Sequence, residues 1–207
     1  MIAVENTVLI LLAAGRSERF GDIGSKLDQP FLGKSLGLHV AVALEAMPFQ
    51  DRVAVVDGAQ IDYGPYGFRQ IRNHDRDKGM AHSIRLGLAC AQQLDADAIC
   101  IALADMPRVT AAHIHRLFDA TTGAETVVAS SDGNEPKPPA IFGRAHFAML
   151  ATLEGDAGAR DMVRRGRHVV TSDAELIDVD TPEELERLRE LVHAPEALTR
   201  MGTRRLG

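Results

Sequence analysis

Val8-Leu9-Ile10-Leu11-Leu12-Ala13-Ala14-Gly15-Arg16-Ser17-Glu18-Arg19-Phe20-Gly21, closing on Lys26, is the stretch that decides the fold. Its seven opening residues are all apolar. They are too few to span a membrane and lack helical spacing, so they read as a central strand buried on both faces. The run stops at Gly15, and the character of the chain changes. Glycines stand at 15, 21 and 24, and cations at 16, 19 and 26. Glycine lets a backbone approach a ligand closely and leaves N–H groups free to point at it. Arginine and lysine supply charge-assisted donors for phosphate oxygens. Such a loop suits a polyanion, a nucleoside triphosphate above all; a plain turn after strand one is the competing reading.

Two familiar phosphate motifs fail on inspection. The dinucleotide fingerprint G-x-G-x-x-G would need glycine where Ser17 and Phe20 stand. Gly33-Lys34-Ser35 looks like the end of a P-loop, but the first glycine of that motif would fall at Asp28.

The pattern resembles something else. Leu12-Ala13-Ala14-Gly15-Arg16-Ser17-Glu18-Arg19-Phe20-Gly21 followed by Lys26-Leu27 is similar to the signature loop of the MobA-like nucleotidyltransferases, and most similar to the molybdenum cofactor cytidylyltransferases. Further matches follow in order along nearly the whole chain. Asn73-His74-Asp75 through Gly79-Met80 to Ser83 and Leu88 resembles the family's N-x-D-x-x-x-G-M-x-x-S stretch. Asp105-Met106-Pro107 resembles its D-x-P, Leu153 to Arg160 its L-x-G-D-x-G-A-R, and Asp178-Val179-Asp180-Thr181-Pro182 its D-[IV]-D-T-P.

Composition sets the outer bounds. The chain has 207 residues, 45% of them hydrophobic, and a formal net charge of −6. That suits one large α/β domain, read here as residues 1–194 with a C-terminal tail at 195–207. The acidic balance speaks against nucleic acid as a partner. The two cysteines, Cys90 and Cys100, lack metal-ligand spacing and read as small apolar residues. Met1 to Asn6 carries no basic leader and no stretch reads as transmembrane, so the expectation is a cytoplasmic protein without a membrane partner.

Strands and helices alternate along the chain. Ser35 to Met47 has helical spacing at Leu36, Val40, Leu44 and Met47, and ends at Pro48. Arg52 to Val56 reads as a buried strand and Phe68 to Arg72 as a short one. A polar loop from Asn73 feeds a helix with Ile84, Leu88 and Ala91 on its apolar face, whose N-terminus offers free N–H groups. Ala98 to Ala104 is a second wholly apolar run. Thr110 caps a helix over Ala111 to Ala120. Thr126 to Ser131 and the short Ala140 to Phe142 read as strands. Leu176 to Asp180 reads as a last strand, with Ile177 and Val179 inward and Asp178 and Asp180 on the opposite face. Thr181 and Glu184 form a capping box with Pro182 at the first helical position. This alternation predicts a three-layer α/β/α sandwich with a mostly parallel sheet. The resemblance implies the Rossmann-like nucleotide-diphospho-sugar transferase fold.

The resemblance also implies a reaction: an acceptor phosphate oxygen attacks the α-phosphorus of a nucleoside triphosphate, and pyrophosphate leaves. It assigns catalytic roles to Lys26, Arg16 and Arg19, nucleotide contacts to Leu12, Ala13, Ala14, Gly15, Gly79 and Ser83, and Mg²⁺ to Asp105 and Asp180, with Asp178 as the alternate. Asp156 and Arg160 are the acceptor-binding pair, against a purely capping role for Asp156. The Leu12-Ala13-Ala14-Gly15 form of the loop is the cytidylyltransferase version, which favours CTP and a molybdopterin-type acceptor, with a molybdoenzyme or its chaperone as further partner. A methylerythritol-phosphate cytidylyltransferase, a guanylyltransferase and a non-catalytic nucleotide binder are the alternatives. Lys137-Pro138-Pro139-Ala140 lacks the histidine that many cofactor cytidylyltransferases carry in this region, and Lys26-Leu27-Asp28-Gln29 departs from their apolar K-L-L-x. Both departures bear on the acceptor more than on the reaction.

Overall fold

The structure, a computed structural model, describes residues 1–15, 20–21, 24–155 and 159–193. The first apolar run forms β1 (Thr7–Ala13), buried at every position. It lies between the parallel strands β4 (Asp51–Val56) and β6 (Ala98–Leu103). With both edges paired and both faces covered, the strand is apolar from Val8 onward, and the buried Thr7 hydroxyl donates to the Ala3 carbonyl at 2.8 Å; this explains the lack of alternation in the sequence. The full seven-stranded sheet runs β5 (Arg69–Arg72), β4, β1, β6, β8 (Pro136–Gly143), β7 (Val127–Ser131), β9 (Arg167–Val170). Only β8 runs antiparallel to its neighbours. A separate hairpin pairs β2 (Pro30–Phe31) with β3 (Lys34–Ser35).

Alternate residues of β1 serve two cores. Leu9, Leu11 and Ala13 pack with Val40, Ala41 and Leu44 of α1 (Leu38–Leu44) and with Ile114, Leu117 and Phe118 of α3 (Ala111–Asp119). Val8, Ile10 and Leu12 face the other layer. There they meet Ile84, Leu88 and Ala91 of α2 (Gly79–Gln93), Phe147 and Leu150 of α4 (Phe147–Ala151) and Val163 of α5 (Arg160–Arg165). Each fully buried Leu or Ile contributes roughly 1.5–3 kcal/mol, so this one strand is a large share of the stability. At Gly87 α2 approaches β1 so closely that a Cβ would lie 2.5 Å from Ile10 Cγ2. The last helix, α6 (Pro182–His193), packs Leu185 and Leu188 with Phe20, Phe31, Leu36 and Val179 in a third, smaller cluster.

The three layers and the mostly parallel sheet match the expectation from the alternation of elements, but several local readings are corrected. Residues 177–180 are not a strand. Val179 is buried and its N–H donates to the Asp105 carbonyl at 3.0 Å, which lays this segment across the end of β6 outside the sheet ladder. The strand at the sheet edge is β9 instead, mostly exposed and therefore without an apolar signal. The helix expected over 35–47 is shorter, because Ser35 is spent on the hairpin. The expected short strand at 140–142 extends back to Pro136. Its three prolines disguise it, which is possible because the ladder shifts register opposite Ala129 and Ser130. The tail at 195–207 lies outside the described residues.

Candidate active site

The site lies at the C-terminal ends of β1 and β6, where open α/β sheets hold their ligands. Ala104 N–H donates to the Leu12 carbonyl at 3.1 Å, tying the two strand ends together. Asp105 follows directly. Opposite it, a single 3-10 turn at Lys26–Asp28 buries Leu27 in the core and with it Lys26, whose side chain is only 6% exposed. The third element is the start of α6. Glu184 accepts from the N–H groups of Asp180 and Thr181, both at 2.8 Å, while Thr181 Oγ1 accepts from Glu184 N–H at 3.2 Å. This is the capping box expected from the sequence, and it fixes Asp180 at the positive end of the helix.

These elements converge on one ammonium group. Lys26 Nζ lies 2.7 Å from Asp105 Oδ2 and 2.7 Å from Asp180 Oδ1. The two carboxylates outweigh the cost of burial and raise the pKa of Lys26, so it stays charged. Asp105 shifts upward as well. Burial is the main cause, the neighbouring Asp180 and Asp178 add to it, and Lys26 opposes it. Asp105 Oδ1 is buried and has no hydrogen-bond partner. Two carboxylates thus share one ammonium group, a third, Asp178, acts on Asp105, and one carboxylate oxygen is unsatisfied. That excess of negative charge and hard oxygen donors fits a divalent ion such as Mg²⁺, which takes one or two carboxylates and completes its shell with phosphates and water. Among the described residues no group of three or more His, Cys, Asp or Glu could hold a metal ion by itself.

The carboxylates edge a cleft of about 720 Å³. Its floor is apolar, with Leu12, Ile84, Ile101, Leu103 and Phe142. Its other wall carries Asn134 to Pro138 of the β7–β8 connection and β8, and Arg160 and Arg164 of α5. Of the residues singled out in the sequence, Leu12, Asp105, Asp180, its alternate Asp178, and Arg160 line this cleft, and Lys26 bonds to Asp105 and Asp180. Ala13 is buried in the core, and Ala14 and Gly15 follow at the end of β1. Gly79 opens α2 with φ +76°, a left-handed conformation that glycine adopts without strain. Ser83 does not reach the cleft lining. It is buried and its hydroxyl accepts from Asn73 Nδ2 at 2.9 Å, while Asn73 Oδ1 accepts from Asp75 N–H. The N-terminus of α2 is also less open than expected, because Ala81 N–H donates to the Gly155 carbonyl at 3.1 Å. Arg16, Arg19 and Asp156 lie outside the described residues. Lys137 and Arg164, both cationic and both on the cleft, were not singled out by sequence. Arg164 falls one turn after Arg160, a spacing that could have revealed it.

A profile of the MobA-like NTP transferase domain matches residues 9–170. The chain belongs to this family. It is accordingly a nucleotidyltransferase with the Rossmann-like fold of that group. It is 32% identical to the purine catabolism protein PucB of Bacillus subtilis over 87% of this chain and 94% of PucB. The crystal structure of Rv0371c from Mycobacterium tuberculosis superposes with a TM-score of 0.71 at 28% identity, covering 89% of this chain and 98% of that one. A complex of Rv0371c with manganese aligns at 27% identity and a TM-score of 0.68, covering 89% and 98%. No helix of the described residues is long and apolar enough to cross a membrane.

Proposed function

We propose that this protein transfers CMP from CTP to the terminal phosphate of a molybdopterin-type cofactor and releases pyrophosphate. The observation that carries the reading is the Lys26 ammonium held between Asp105 and Asp180 beside a cleft whose other wall is cationic. An acceptor phosphate oxygen forms a bond to the α-phosphorus as the bond to the β-phosphate oxygen breaks. Such a reaction brings two anions together, so catalysis is mostly positioning and charge neutralisation. Lys26 donates to the α-phosphate as charge builds there, and Gly15 offers its backbone N–H. Arg16 and Arg19 hold the β- and γ-phosphates. Asp105 and Asp180 hold the divalent ion, which when bound supplies Lewis acidity toward phosphate oxygens. The manganese complex of Rv0371c supports a divalent ion in this family.

On the acceptor side, Arg160 with Arg164 and Lys137 takes the acceptor phosphate, and Asp156 belongs to the same acceptor-binding set. The apolar floor suits a flat ring system. The kinship to PucB, named for purine catabolism, supports a product destined for a purine-oxidising molybdoenzyme or its chaperone. Both cysteines are free and buried, as suits a reducing cytoplasm.

Thermal unfolding with CTP, GTP, UTP and ATP, each with and without Mg²⁺, tests the nucleotide. A ligand at about 100 times its dissociation constant adds about 2.7 kcal/mol of stability. The expected result is a Mg²⁺-dependent shift with CTP alone, and pyrophosphate release when molybdopterin is added. A shift confined to GTP would replace CTP, and binding without pyrophosphate release from any acceptor would make the chain a nucleotide binder.

A further inference from the structure

A chain of polar groups runs from exposed Arg116 on α3 through buried His113 and Ser130 to the cleft wall. His113 and Ser130 are both fully buried. Arg116 donates to His113 Nδ1 at 3.0 Å. Because arginine can only donate, His113 Nδ1 accepts, and its Nε2 carries the proton. Nε2 lies 2.7 Å from Ser130 Oγ. Ser130 in turn donates to the Pro139 carbonyl at 2.8 Å. The direction of every bond in the series is therefore set from its two ends: Arg116 can only donate and the Pro139 carbonyl can only accept.

The series ends where the sheet needs it. Ala129 pairs with Ala140, but the next residue, Ser130, pairs with Lys137, so Pro138 and Pro139 are looped out of the ladder. Neither proline has an N–H, and neither has a partner residue in β7. Ser130 satisfies the buried Pro139 carbonyl, and His113 holds Ser130 in the donating rotamer. The looped-out pair adjoins the wall directly, since Pro138 lines the cleft together with Asn134, Glu135, Pro136 and Lys137 just before it.

We propose that neutral His113 is the positioning residue of this wall: acting through Ser130, it anchors the Pro138-Pro139 bulge and so places Lys137 toward the acceptor. The assignment of this wall to the acceptor rests on the reading given above; the anchoring does not. The groups facing the imidazole are Arg116 from α3, Ser130 from β7, the Pro139 carbonyl from β8, and Glu175 from the 3-10 turn at Asp173–Glu175, which bonds Arg116 at 3.4 Å. Burial and Arg116 lower the pKa of His113, while Glu175 opposes them.

The test uses the full chain as wild type, Ser130→Ala, His113→Leu and His113→Gln, the last keeping an amide donor near the position of Nε2. Three readouts are taken: the imidazole ¹⁵N shifts of His113, hydrogen exchange of the Asn134, Glu135 and Lys137 amides, and the KM values for molybdopterin and CTP. The expected result is an Nε2–H tautomer in wild type. Exchange of the wall amides rises at least tenfold in Ser130→Ala and His113→Leu, with His113→Gln close to wild type. The KM for molybdopterin rises at least tenfold in the first two, while the KM for CTP stays within twofold. An Nδ1–H tautomer, or wall amides unmoved in Ser130→Ala, would overturn the proposal. A wild type inert toward molybdopterin would overturn the acceptor assignment, and the tautomer and exchange would still decide the anchoring.

Discussion

On one side of the cleft Lys26 is buried, with carboxylates at 2.7 Å on two sides. On the other, Arg160 and Arg164 are exposed, and half-buried Lys137 meets Asp132 only at 3.4 Å. The first wall is built on strand ends and a capped helix, where backbone hydrogen bonds fix the chain segments that carry Lys26, Asp105 and Asp180 before a ligand arrives. The second hangs on a bulged strand and on a short helix, and its cations keep their side-chain freedom. Preorganised charge lowers a reaction barrier because nothing must be reordered at the moment of reaction. Mobile charge suits a site that must first admit a bulky anion. The two walls should thus fail differently when their cations are removed: the first in kcat, the second in acceptor KM.

The largest effect is expected from Lys26→Ala. Loss of a preorganised group that stabilises developing charge costs about 10²–10³ in kcat. The KM for the acceptor should move little. The variant also leaves Asp105 and Asp180 facing each other without their shared cation, so a lowered melting temperature is expected alongside. Steady-state kinetics together with a thermal scan read both effects. Wild-type kcat in Lys26→Ala would remove Lys26 from the chemistry.

A smaller change is expected on the other wall. A hydrogen bond to a charged group is worth about 1.5–3 kcal/mol, so Arg160→Ala should raise acceptor KM by about 10- to 100-fold and leave the CTP-induced thermal shift intact. Arg164→Ala should do the same more weakly, since Asp161 at 3.9 Å already shares its charge. If instead kcat fell and acceptor KM held, the contrast between the walls would be wrong.

The same contrast explains what the sequence revealed. Val8 to Ala13, Ala98 to Leu103 and Thr181 to Glu184 were legible because each is a local pattern with one physical solution: a doubly buried strand, a second one beside it, a capping box. Asp105 and Asp180 came from the family resemblance. Their convergence on Lys26 did not come from sequence, because the three residues belong to separate elements that only the tertiary fold brings together. β9 was missed because an exposed edge strand needs no apolar pattern. The length of β8 was missed because Pro136, Pro138 and Pro139 forbid a regular ladder, and only the bulge opposite Ser130 makes room for them. His113 carried no signal at all. A histidine in the middle of an amphipathic helix reads as an ordinary residue until Ser130 and Arg116 are seen on its two nitrogens.

The smallest effect follows from that histidine and needs no acceptor. In the unfolded chain His113 titrates near the usual value of about 6.5. In the folded chain burial and Arg116 hold it lower. Between those two values the unfolded state binds the extra proton, so stability falls as pH falls, and above the upper value the contribution is constant. One proton limits the slope to about 1.4 kcal/mol per pH unit. The other ionisable groups are common to both proteins, so the informative quantity is the difference between wild type and His113→Gln, measured by urea denaturation at intervals below pH 7. Wild type should lose stability relative to the variant on acidification and run parallel to it above pH 7. Parallel curves throughout would mean that Arg116 moves aside for the charged imidazole, most readily toward Glu175 and Thr171, which it already touches. The anchor of the acceptor wall would then hold whatever the charge on His113, and pH would no longer distinguish one wall of the cleft from the other.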